Sequence, residues 1–494
     1  MMLPSGRGSG PSRRERCRAS LLVTACAVLA IAALPSAAAA GPLVTGVTNI
    51  EDQVPLGFER ARATGAEFVR IPLEWAGIAP AKEPANWQPQ DPTDPAYHWQ
   101  AADDAVAAAV GAGLVPVLQV DGGPAWAQRC KAPPYAMVGM CNTDPDALAA
   151  FATAAAHHYS GQVAGVPRVQ YWQALNEPNL SLFFNPQFDG DTPVSPGLYR
   201  GLLNRFYAAV KGVDASNLVI SAGLGPIAVP SYTIGPLRFA RLLLCMQGHN
   251  HPRPTPGDCE GGVDFDIFAI HPYTTGGPTH EGGVNDVELG DLGELRTLID
   301  AADKAGRING AFRHTPLWIT EFSWDSNPPD PGGLPMRILK RWVAEALYVA
   351  WRAGVSHFFW YSLQDGKHNA GEPYSQTLES GLYFRGATVA EDQPKPSLYA
   401  FRFPFVSYSR SSGLYFWGRT PTSTRGKVVI QVHGTERWRK VAVERADENG
   451  IFQGTVRTRY GRDHHGTVRA VYHRVRSVPF SLKPVPDFRQ PPFG

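Results

Sequence analysis

"YWQALNEPNLS", residues 171–181, decides how the rest of the chain is read. Tyr171, Trp172, Ala174 and Leu175 make an apolar, strand-like run, and Asn176, Glu177 and Pro178 end it with an amide and a carboxylate. A run this apolar belongs inside a protein, where an ionised side chain is costly unless it is paired or put to use. If the same pattern recurs, the chain carries several buried strands that each deliver polar groups to one end.

It does recur. Residues 43–50, 67–75, 114–120, 169–175, 217–222, 264–271, 316–321 and 355–361 all read as short apolar strands. Helical patterns fall between them, at 101–112, 147–159, 198–213, 292–305 and 336–353, with a last candidate near 396–403. Apolar runs joined by crossover helices imply parallel strands covered on the outside. Eight such units predict an α/β fold, a (β/α)8 TIM barrel. A doubly wound open sheet would need a Gly-rich phosphate turn after the first strand, and "TNIEDQVPLG" (48–57) offers none.

After Phe405 the texture changes. Short β-rich runs at 427–432, 440–444, 454–459 and 468–472, with turns at 448–450 and 461–466, predict a small antiparallel immunoglobulin-like β-sandwich. The expected division is therefore 1–40, 41–405 for the barrel and 406–494 for the sandwich.

The first forty residues read as an export signal. Arg13, Arg14, Arg16 and Arg18 precede an apolar run from Leu21 to Leu34, and small residues follow from Ser36 to Ala40. The run is short for a membrane span. Val23-Thr24-Ala25-Cys26 offers a lipoprotein alternative, against which the apolar core continues past the cysteine. Cleavage would give a secreted, extracellular protein with four cysteines in two close pairs. In an oxidising compartment these predict disulfides Cys130–Cys141 and Cys245–Cys259. With no C-x-x-C and no H-E-x-x-H, neither a metal site nor a cofactor is expected.

Composition is that of an ordered globular protein, 44% hydrophobic and 18% charged. The net charge of +2 hides a split: residues 411–494 carry fifteen Lys and Arg against six Asp and Glu, and residues 41–410 are net −11. The basic end is either an ordinary solvated surface or a contact for an anionic cell-envelope polymer. No nucleic-acid partner is expected.

Reactive side chains of a (β/α)8 barrel sit where its strands end. The second run supplies Arg70 and Glu74, and the third leads to Asp121 and Trp126. The fourth ends in Asn176 and Glu177, the sixth in His271 and Tyr273, and the seventh in Glu321 and Trp324. The eighth carries Trp360, Tyr361 and Asp365. Runs four and seven lie across a barrel from one another, so Glu177 and Glu321 can face each other over its mouth. Such a carboxyl pair is what glycoside hydrolysis requires: one proton donor and one carboxylate at the oxocarbenium-like centre.

Asn176-Glu177-Pro178 after the fourth run, with Ile319-Thr320-Glu321-Phe322 after the seventh, resembles glycoside hydrolase clan A, the retaining (β/α)8 glycosidases, and families 39 and 5 among them. The resemblance spans about residues 43–405. It implies Glu177 as general acid/base and Glu321 as nucleophile of a hydrolase that cleaves β-O-glycosidic bonds of a poly- or oligosaccharide. It implies that Asn176 donates to the sugar 2-hydroxyl, that Arg70 keeps Glu321 ionised, and that Tyr273 hydrogen-bonds Glu321. His271 would contact substrate or Glu177, and Trp360 would floor the subsite of the cleaved sugar. Trp126 and Trp324 are further candidates for lining sugar subsites. The other reading is a non-catalytic carbohydrate-binding or envelope-adhesion protein on the same scaffold, against which both glutamates and Asn176 argue.

Overall fold

A computed structural model describes residues 41–50, 54–226, 228–229, 232–256, 261–369, 371–374, 377–434, 437–458, 466–486 and 488–489. The segment read as an export signal, Cys259 and most of the 461–466 turn lie outside the described residues.

Eight parallel strands form one sheet: β1 (Val44–Thr48), β2 (Phe68–Glu74), β3 (Val115–Asp121), β4 (Tyr171–Ala174), β5 (Leu218–Ile220), β6 (Phe268–Ile270), β7 (Leu317–Ile319) and β8 (Val355–Tyr361). Their order is β6-β7-β8-β1-β2-β3-β4-β5. Parallel bridges Ile220↔Ile267 and Leu224↔Ile270 join β5 to β6 and close the ring. A helix follows each strand: α1 (Pro55–Ala63), α2 (Gln100–Gly111), α3 (Pro145–His158), α4 (Ser195–Val213), α5 (Pro236–Leu243), α6 (Leu292–Lys304), α7 (Met336–Arg352) and α8 (Pro396–Arg402). The expected (β/α)8 barrel is present. Two short helices, α1 and α5, occupy links that the alternation of strands and helices implies but whose bounds the sequence pattern does not mark.

Local chemistry sets the element ends. Proline stands at the first or second position of α1, α3, α4, α5 and α8, where its missing N–H costs nothing. Asp144 caps α3 by accepting from the backbone N–H of Asp146 at 2.9 Å. Gly354, at φ 81°, turns the chain out of α7 straight into β8.

Strand alternation sorts the side chains into two cores. Phe68, Val117, Ile220, Ile267, Ala269, Trp318 and Phe359 fill the barrel interior. Trp318 stacks there on His357 at 3.8 Å between ring centres, and burial pushes the His357 imidazole down to about 3. The opposite parity packs outward under the helices, in a second cluster that holds Val47, Val69, Trp172 and Trp360. One layer above the interior plug, the inward positions turn polar: Arg70, Gln119, Gln173, His271 and Thr320, all buried. The site sits on that layer.

Antiparallel sheets follow, as expected. One orders β9 (Phe405–Arg410), β10 (Gly413–Arg419) and β13 (Ile451–Val456); the other orders β12 (Trp438–Ala446), β11 (Gly426–His433) and β14 (Thr467–Tyr472), with short strands 475–476 and 480–481. The β9–β10 hairpin was not anticipated. These sheets belong to the same compact unit as the barrel. Trp351 of α7 packs on Trp417 at 5.3 Å, and Arg341 of α7 donates to the Ser481 carbonyl at 2.7 Å. Arg419, fully buried, donates to the Leu43 carbonyl at 3.3 Å, to Thr45 Oγ1 at 3.0 Å and to Ser423 Oγ at 2.9 Å.

Candidate active site

The end of β4 is held in an unusual backbone shape. Leu175 and Glu177 both take positive φ, 67° and 37°, which costs a bulky residue roughly 1–3 kcal/mol. The surroundings hold it there. Leu175 N–H donates to the Val120 carbonyl at 2.9 Å, and Glu177 N–H to the Gly223 carbonyl at 3.0 Å. Two residues on, buried Asn179 donates to the Gly225 and Ile234 carbonyls, both at 3.1 Å, and accepts from Gly225 N–H at 2.8 Å. Glu177 is thereby aimed into the barrel mouth.

Glu321 enters from the end of β7, opposite. Arg70 donates to its Oε1 at 2.6 Å, and the Tyr273 hydroxyl to its Oε2 at 3.1 Å. Arg70 is itself fixed by donation to Gln173 Oε1 at 2.6 Å and to Asn176 Oδ1 at 2.8 Å. That bond engages the Asn176 carbonyl oxygen and leaves its amide nitrogen available as a donor. His271 Nδ1 lies 2.8 Å from Glu177 Oε1 and 3.7 Å from Glu321 Oε2. Its Nε2 shares a 2.9 Å hydrogen bond with Thr320 Oγ1, which also accepts from Gln173 Nε2 at 3.2 Å.

The two glutamates differ in environment. Both are buried, at 5% and 8% exposure. Burial raises the Glu177 carboxyl above the ordinary range and the nearby Glu321 adds to this, while His271 and Arg70 oppose it. Glu321 instead bonds a guanidinium directly, at 2.6 Å. One ligating atom from each of Glu177, His271 and Glu321 lies within 4.8 Å of the others. Such a triad can hold a divalent ion, but the Arg70 guanidinium already occupies a contact position on Glu321. The donor set therefore suits proton transfer and nucleophilic attack better than metal binding.

The expected residues Arg70, Asn176, Glu177, His271, Tyr273 and Glu321 are brought together. The three tryptophans are not. Trp360 is fully buried on the outward parity of β8, its Nε1 donating to the Ser380 carbonyl at 2.8 Å and its ring against Phe401. Its neighbour Tyr361 has the inward parity, and its hydroxyl accepts from Asn49 Nδ2 at 3.1 Å. Trp324 is 4% exposed and packs on Phe322 and Trp342, so it is a core residue. Trp126, half-buried, donates to the Pro80 carbonyl at 2.8 Å and packs edge-on against Trp75 and Trp87.

Sequence reasoning passed over Gln173, Thr320 and Gly223. Gln173 carried a signal, a polar side chain in the middle of an apolar strand. Gly223 leaves room for a ring: a Cβ there would collide with the His271 imidazole. Asp121, at the inward end of β3, has a buried Oδ1 without a hydrogen-bond partner among the described residues, and burial pushes its carboxyl up to about 7. The disulfide Cys130–Cys141 is present. Its expected counterpart involves Cys259, outside the described residues. Among the described residues no helix is long and apolar enough to cross a membrane.

No family model and no curated protein sequence matches the chain. Solved structures do. A family 39 glycoside hydrolase from the gut symbiont Bacteroides cellulosilyticus aligns at 17% identity over 84% of this chain and 79% of its own, with a TM-score of 0.50. A monomeric β-xylosidase from Caulobacter crescentus aligns at 14% identity over 85% of this chain and 94% of its own, also at 0.50. At these identities the likeness is one of fold: a barrel with trailing antiparallel sheets.

Proposed function

We propose that the chain is a secreted retaining glycoside hydrolase that cleaves β-O-glycosidic bonds of a poly- or oligosaccharide, with Glu321 as nucleophile and Glu177 as acid/base. Residues 41–405 would be the catalytic part and 406–494 an accessory part. The observation that carries this reading is the spacing of the two glutamates: ligating oxygens within 4.8 Å. Retention uses carboxyls about 5–5.5 Å apart, whereas inversion needs roughly 6.5–9.5 Å to admit a water.

The chemistry follows from the two environments. Glu321 attacks the anomeric carbon as Glu177 gives its proton to the departing glycosidic oxygen, leaving a covalent glycosyl ester on Glu321. Glu177, now a carboxylate, takes a proton from water, whose oxygen attacks the same carbon and frees Glu321. Arg70 and Tyr273 hold the nucleophile in place and take back its charge when the ester breaks. The amide nitrogen of Asn176 donates to the hydroxyl beside the anomeric centre, a contact that tightens as charge develops there.

The test is trapping. The protein is incubated with activated 2-fluoro glycosides from a panel of sugars, and its mass is read intact and after digestion. One sugar is expected to add stoichiometrically at Glu321, and Glu321→Gln is expected to lose both the adduct and turnover. Hydrolysis by Glu321→Gln at the original rate would refute the assignment.

A further inference from the structure

The outer face of the β12-β11-β14 sheet carries five cations set among valines and uncharged polar residues. Alternation and register place Lys427, Lys440, Arg445, Arg469 and Arg476 on it, with Trp438 beside Lys440 and Arg469, and with Val429, Val443 and Val471 between these and the Lys427–Arg445 pair. Their apolar counterparts Val428, Ile430, Val432, Val468 and Ala470 point the other way and are buried. Among the described residues, none of the five cations makes an ion pair, and the strands bring no Asp or Glu to this face. Glu444 has the opposite parity, toward Gly454 on β13.

Lys427 lies directly opposite Arg445 across the strand pair, and the charge on Arg469 is disfavoured first by desolvation and then by nearby Arg476. Like charges placed so are destabilising. Cations on an edge strand guard against unwanted pairing, but Lys427 and Arg469 lie on the two inner strands, where no edge needs guarding.

Arg469 is also built. Its guanidinium stacks 3.9 Å over the Trp438 ring, and its Nε donates to Gln431 Oε1 at 2.8 Å. His433 closes the edge of the same ring at 5.0 Å. The two terminal nitrogens of Arg469 make no hydrogen bond among the described residues, so a fork suited to carboxylate is held ready on this face, with Lys440 in the same cross-strand row.

We infer that this face binds an acidic polysaccharide, lying across the strands with its carboxylates on Arg469 and the surrounding lysines and arginines. The choice of a glycan over another polyanion rests on the glycosidase reading. A barrel portion of net charge −11 gains no substrate by attraction, whereas a tethered cationic face raises the local concentration of an anionic chain.

The test is affinity electrophoresis of the intact protein in native gels containing polygalacturonate or, as control, a neutral glucan. Polygalacturonate is expected to retard the protein, less so as salt rises. K427Q/K440Q/R445Q/R476Q and, separately, R469Q are each expected to weaken apparent affinity at least tenfold. The charge-keeping K427R/K440R/R445K/R476K is expected to retain binding. All are expected to cleave a small aryl glycoside as the parent does. Equal migration in both gels, or unaltered retardation of both Gln variants, would overturn the inference. So would equal binding to single-stranded DNA or to phosphatidylserine vesicles, which would make the face a general polyanion surface. Retardation without aryl-glycoside cleavage would instead leave the face standing and remove the glycosidase reading.

Discussion

His271 Nδ1 lies 2.8 Å from Glu177 Oε1, and the contact opposes what burial does to the same carboxyl. Burial raises Glu177; the imidazole pulls it back down. A general acid works only while protonated, so activity is lost as pH rises through its pKa. His271→Gln removes the lowering influence. The alkaline limb of kcat/KM is expected to move to higher pH, with kcat down roughly 10–100-fold. A limb that stays in place or moves lower would show that His271 does not set it.

Gly223 makes the space that His271 occupies, and its carbonyl holds the Glu177 backbone. Gly223→Ala puts a methyl group into the imidazole. The ring lies in a close-packed layer and has nowhere to retreat. Turnover is expected to fall roughly a hundredfold, since a shift of about 1 Å at a reacting group costs that much. Unfolding free energy should fall by about 1–3 kcal/mol, read by denaturant titration.

Asp121 sets a pH dependence of stability. Its folded carboxyl is held neutral up to about 7 against an ordinary 3.8. The neutral form is favoured by folding, so stability is intact below the ordinary pKa and declines as pH rises through about 7. Asp121→Asn should match the parent near pH 4 and melt higher above pH 7, by an amount up to about 4 kcal/mol. Thermal melts across that range decide it; identical curves at every pH would mean that Asp121 is solvated.

Lys395 is fully buried, with its ammonium on Ser326 Oγ at 2.7 Å, on the Glu379 carbonyl at 2.9 Å and paired with Asp365. It joins the loops that follow β7 and β8, just beyond Glu321 and Tyr361. Lys395→Met strands the Asp365 carboxyl, already raised to about 6, and should destabilise by about 3–5 kcal/mol. Adding Asp365→Leu is expected to recover much of that loss. A double-mutant cycle with no coupling would contradict the pairing.

Much of this was legible in the chain because parallel barrel strands are apolar on both faces and stand out against polar helices. The fourth run, expected at 169–175, is observed at 171–174, and α7, expected at 336–353, at 336–352. Motif residues at strand ends could be placed because strand number fixes position around a barrel. Parity could not be read where the sequence stops alternating. In "HFFWY" (357–361) every residue is aromatic, so nothing marks which faces inward, and Trp360 was expected where Tyr361 stands. The supporting pair Gln173 and Thr320 was missed because uncharged polar residues inside a strand give no sign of their partners. The β9–β10 hairpin escaped because its strands, "FVSYSR" and "GLYFWGR", lack clean alternation.

Arg419 changes what can be done with this protein by dissection. A guanidinium from the trailing sheets reaches the first barrel strand through Leu43 and Thr45, with no solvent between. Cutting the chain after Phe405 would strip that strand of its clamp and lay bare the aromatic flank of α7. The two parts should melt in one transition, and a shortened barrel should be insoluble rather than merely untethered. Any division of labour between them has to be mapped by surface exchanges in the whole molecule, since truncation would confound loss of grip with loss of shape.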